Sequence, residues 1–157
     1  MALQEGINTF CTMEYAEEYF GSKVFADEWD EADATTKEKA IKEATRRINR
    51  IKFKGAKADP SQVLEFPRQF PEVVSYSFGY VEQVDIPEEV KAATCEEALA
   101  ILKYGNSARV KAQEQNVVSV SFGDASETYA KGSFGKMHSK EAYELLKPYV
   151  VGAVAIW

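Results

Sequence analysis

The chain predicts a mainly α domain with one added β-hairpin. Apolar residues recur at helical spacing in four separate stretches, and two-residue alternation is confined to short segments. Gly, Pro and capping residues separate the two kinds of pattern. At 157 residues the chain suits a single domain at 1–149, long enough to bury a conventional core, with an apolar tail at 150–157.

The first helix is expected from a Thr12 cap through Phe20, with Glu14 in its first turn and Gly21 stopping it. Met13, Ala16, Tyr19 and Phe20 give its apolar face. Phe25, Ala26 and Trp29 form a short apolar turn or helix, and the aromatics Tyr15, Tyr19, Phe20, Phe25 and Trp29 read as core. A second long helix opens near residues 33–36 and runs to about Phe53, where Gly55 ends it. Its buried stripe is Ile41, Ala44, Ile48 and Ile51.

Pro60, Pro67 and Pro71 then exclude a long helix, and LEFPRQFP (residues 64–71) is extended because residues before proline avoid the helical region. Val74, Tyr76, Phe78 and Tyr80 alternate as a strand would, although an ordered loop fits equally well. Pro87 opens the next helix, which carries Val90, Ala93, Cys95, Ala98, Leu99, Ile101 and Leu102 and ends at Gly105 and Asn106. Such a wide apolar surface marks the central helix. A hairpin is expected at about 117–130, from Val118, Val120 and Phe122 through Gly123 and Asp124 to a return over 127–130. Ser139 caps a last helix bearing Ala142, Leu145, Leu146 and Tyr149, weakened by Pro148.

Charge is the most informative pattern. Before Thr36 a single lysine, Lys23, stands against nine acids, whereas residues 37–57 carry nine Lys and Arg against Glu38 and Glu43. This reversal sets up complementary surfaces within one fold or between copies. For pairing between neighbours the candidates are Arg46, Arg47 and Arg50 against Glu17, Glu18 and Asp30. The net charge of −6 argues against non-specific duplex binding as the main activity, which requires neutralising phosphates.

No catalytic, cofactor or metal constellation emerges, and the chain does not read as an enzyme. Cys11 and Cys95 lack ligand spacing, and with His138 as the single histidine no Cys/His zinc set can be assembled. His138 reads as a surface or capping residue. KGSFGK (residues 131–136) does not match a phosphate loop, and the acidic run from Asp27 to Asp33 lacks the pattern of a calcium loop. The N-terminus has no signal-peptide character, so reduced cysteines are expected. The longest apolar run, residues 149–157, is too short for a membrane span. In that tail Val150, Val151, Val154, Ile156 and Trp157 either pack on their own domain or dock on another subunit.

The order of TMEYAEEYF (12–20), FADEW (25–29), KEKAIKEATRRINRIKFKG (37–55), LEFPR (64–68), IPEEVKAATCEEALAIL (86–102) and SFGDASETYA (121–130) resembles the head–tail connector, or adaptor, proteins of tailed bacteriophages. Some members of that group carry the label "putative DnaT-like single-stranded-DNA-binding protein". The resemblance implies a small helical bundle with an added β-hairpin, assembled into a homo-oligomeric ring of about a dozen copies. It further implies a structural virion protein in the neck, made in the host cytoplasm. The ring would bridge the portal protein to the next neck or tail-completion protein, and DNA would pass through its channel without specific binding. The segment 75–84 looks like an added contact loop. The alternative is single-stranded-DNA binding in phage replication, which calls for aromatics interleaved with a basic groove. Here the aromatics cluster among acids, which favours the connector at this level.

Overall fold

The computed structural model describes residues 2–74, 77–107, 119–122, 125–128 and 137–152. Helix α1 (Met13–Gly21) is capped by Thr12, whose hydroxyl accepts the Tyr15 N–H at 3.1 Å. Helix α2 (Asp27–Glu31) is short. Helix α3 (Ala34–Ile48) is capped by Asp33, whose carboxylate accepts the Thr36 N–H at 2.7 Å. Helix α4 (Glu88–Tyr104) follows Pro87. Helix α5 (Lys140–Leu146) is capped by Ser139 and runs into a 3-10 turn, Lys147–Tyr149. Each of the three side-chain caps satisfies an otherwise orphaned N–H and contributes about 1 kcal/mol.

The fold is mainly α with an added hairpin. That hairpin is β4 (Ser119–Phe122) with β5 (Ala125–Thr128), paired antiparallel so that Val120 faces Glu127. The return strand therefore starts two residues earlier than the sequence suggests, and the turn at Gly123 and Asp124 lies outside the described residues. A second sheet comes from the proline-rich region. It has the order β1 (Ala56–Lys57), β2 (Arg68–Val74), β3 (Ser77–Glu82), all antiparallel. Most of the supposed contact loop at 75–84 is thus strand β3. Pro71 is tolerated in β2 because β1 pairs only with Arg68 and Gln69, leaving that side of Pro71 without a ladder partner among the described residues.

Two core clusters lie end to end along α3 and α4. One gathers Ile48, Phe53, Leu64, Phe66, Val90, Ala93 and Leu146, with Phe66 at the centre of edge-to-face contacts to Phe10, Phe53 and Tyr149. The other gathers Ala16, Phe20, Trp29, Ile41, Ala44, Ala98 and Leu99. Trp29 is fully buried and stacks on Phe20 with centroids 4.3 Å apart, a geometry that adds about 0.5–1.5 kcal/mol to the burial itself. Cys11 and Cys95 are free and buried in this second cluster. The neighbouring Cys11 thiol and burial hold the Cys95 thiol well above its usual range, so it stays protonated and inert.

Two further expectations need correction. Helix α3 stops at Ile48, five residues short of Phe53. The backbone of residues 52–54 is drawn away to the end of the chain, where Lys54 N–H donates to Tyr149 O at 2.7 Å and Val151 N–H donates to Lys52 O at 3.0 Å. Phe25 is not core: it is 75% exposed, because the turn into α2 buries Ala26 and Trp29 in its place. In the tail, Val150 bridges Phe53 and packs against the first core cluster. Val151 is exposed, and Val154, Ile156 and Trp157 lie outside the described residues.

Candidate nucleic-acid interface

Helix α3 sorts its residues by face. Ile41, Ala44 and Ile48 are fully buried. Lys39, Lys42, Arg46 and Arg50 follow one another at three- and four-residue spacing, which at 3.6 residues per turn gathers them within about 80° on the opposite side. Arg50 stays in line because the turn after the helix keeps a helical course, with Arg50 N–H donating to Arg47 O and Ile51 N–H to Ile48 O. The exposed Lys52 and Lys54 carry the cationic run onward. The stripe spans about 16 Å at 1.5 Å per residue.

Its charges are only lightly committed. Lys42 meets Glu38 at 2.6 Å and Arg46 meets Glu43 at 2.7 Å, both near neighbours on the same helix. The second pair is exposed, and such pairs contribute about 0.2–1 kcal/mol and give way to a better anion. Lys39, Arg50, Lys52 and Lys54 form no ion pair among the described residues. Arg46 and Arg47 also sit in the last turn of α3, where cations complement the negative end of the helix dipole.

The acidic half is used differently. Glu17 takes Lys37 at 2.9 Å and the Trp29 indole N–H at 3.3 Å, and the Lys37 bond holds its carboxyl below the usual range. Glu96 receives the Tyr19 hydroxyl at 2.6 Å and Lys23 at 2.7 Å. Arg47 lies 3.5 Å from Glu43. The charge reversal read from the sequence is therefore drawn together in part inside one chain, at Glu17 and Lys37, while Glu18, Asp30 and Arg50 stay exposed. Among the described residues no group of His, Cys, Asp and Glu could hold a metal ion, and no helix is long and apolar enough to cross a membrane.

Three buried charges escaped the sequence reading, Glu96 among them. Arg68, only 4% exposed, donates through its guanidinium to the carbonyls of Phe53, Lys54, Gly55 and Glu65 and pairs with the Glu65 carboxylate at 2.6 Å. It clamps the segment that bears Lys52 and Lys54. Glu97, fully buried on α4, accepts the backbone N–H groups of His138 and Ser139 at 2.8–3.1 Å and so fixes the start of α5. His138 is half-buried and serves there through its backbone. The one signal available for these residues was a charge embedded in an apolar run.

The sequence matches the model of the family described as "Putative DnaT-like ssDNA binding protein" over residues 2–156. No curated protein and no solved structure matches it. The match corrects the connector expectation. Its description is a DNA-binding one, and it supports neither a portal or neck partner nor a virion ring through which DNA slides unheld. The expectation rested on the order of the motifs and on aromatics that cluster among acids, and neither reports whether the cations are accessible to phosphate. In the fold, four of the cations stand exposed and outside any ion pair among the described residues, where phosphate can reach them. Matched across nearly its whole length, the chain belongs to the DnaT-like single-stranded-DNA-binding family.

Proposed function

We propose that this chain binds single-stranded DNA through the cationic stripe of α3 and the segment after it, as a non-catalytic component of phage DNA replication in the host cytoplasm. The family match over residues 2–156 carries the reading, and the cations Lys39, Lys42, Arg46 and Arg50 on one side of α3 support it. A strand's phosphates need solvent-accessible cations, and Lys39, Arg46 and Arg50 are exposed. The overall negative charge confines binding to this face and disfavours coating DNA at random.

The test is fluorescence anisotropy of a labelled oligothymidylate against the chain and its Arg46→Glu/Arg50→Glu variant. Both arginines are exposed, so the variant keeps its fold. Its affinity should fall about tenfold or more. Equal binding by the two proteins would remove the stripe from the interface, and no binding by the unaltered chain would end the single-strand reading.

A further inference from the structure

The stripe borders a cleft of about 360 Å³ between the turn at residues 4–9, helix α3 and residues 63–64, a volume at the small end for ligand clefts. Ile7 and Val63 form its walls and are 56% and 67% exposed. Thr45 and Asn49 line it from α3, and Lys42 and Arg46 stand on the side shared with the stripe. Single exposed apolar residues are ordinary on a surface. Two that line one cleft beside cations form a site with a chemical character.

Asn49 sharpens that character. Its Oδ1 accepts the Glu65 N–H at 2.7 Å, which fixes the amide, and its NH2 donor has no partner among the described residues. The cleft thus offers apolar walls, a fixed donor and adjacent cations. An apolar peptide would leave the cations unused, and a small anion would leave the walls wet. An unpaired nucleotide uses all three.

Resting on the single-strand reading above, we infer that this cleft receives one unpaired nucleobase of the bound strand. The base faces lie against Ile7 and Val63, a base carbonyl or ring nitrogen accepts from Asn49, and the flanking phosphates sit on Arg46 and Arg50. A base held in a duplex has its faces stacked and its edge paired, so the cleft selects single strands beyond what the cations alone can do.

The experiment compares an oligothymidylate with an oligomer of equal length and phosphate count that lacks bases, on the full chain and on its Ile7→Ser/Val63→Ser variant. Thermal unfolding of the variant checks that the fold is kept. The chain should bind the base-bearing strand on the order of tenfold more tightly. The variant should lose that preference while keeping the salt dependence. If the unaltered chain binds both oligomers equally, or the variant keeps the preference, the base cleft is refuted and the single-strand reading survives. If the chain binds neither oligomer, the reading itself fails and the cleft with it.

Discussion

At the scale of single residues, Arg68 and Glu97 set the terms on which the rest of the fold can form. Arg68 reaches four carbonyls and a carboxylate from a position almost closed to water. Arg68→Ala leaves those acceptors and Glu65 without their cation and should cost about 3–5 kcal/mol in urea unfolding. Arg68→Lys should recover little of it, because one ammonium cannot reproduce the planar fork. Burial pushes the Glu97 carboxyl up, opposed by the two N–H groups and by Arg47. A carboxyl raised in the folded state contributes stability that is present below its unfolded value, about 4.3, and lost as pH rises through the folded value. Glu97→Gln carries no such charge. Across a pH series of denaturation curves the unaltered chain should therefore lose stability relative to this variant as pH climbs from about 4. For both residues the one hint beforehand was a charge inside an apolar run, which reads as solvated until the chain is folded around it.

Among the elements, those governed by local chemistry were legible and those governed by distant contacts were not. Thr12, Asp33 and Ser139 each announce a helix because a cap and the apolar period that follows it lie within a few residues. Ile51 and Phe53 continue the apolar rhythm of α3, so nothing nearby says the helix must end at Ile48. The reason lies about a hundred residues on, in Tyr149 and Val151. The β2–β3 hairpin was obscured by Pro71, a residue that reads as a breaker until the short reach of β1 is known. Gly55 makes the turn into β1 with φ of +75°, and a methyl there would overlap the Gln69 carbonyl oxygen. Gly55→Ala should destabilise the domain by about 1–3 kcal/mol from backbone strain, before any clash. Thermal unfolding measures it, and an unchanged midpoint would mean the turn can open without loss. The candidate interface was half legible: its cations were counted correctly, but the stripe they form and the exposure of Lys39, Arg46 and Arg50 required the fold.

For the whole molecule the expected signature is ionic. If four cations of the stripe meet phosphates, the logarithm of the binding constant should fall with that of salt concentration at a slope of about −3. Between about 50 and 200 mM salt, affinity should then drop roughly fiftyfold. A flat titration by anisotropy would show that phosphates are not what is held. One structural tie also bears on when this surface comes into being. The backbone of Lys52 and Lys54 is bonded to Tyr149 and Val151, closing a loop of about a hundred residues whose entropic cost makes it a late contact. On the ribosome, α3 and its arginines emerge early and Arg68 can clamp the segment carrying Lys52 and Lys54 soon after, but its bonds to Tyr149 and Val151 wait until those residues have been made. The nascent chain thus displays its cations before every bond that holds their backbone in place can form.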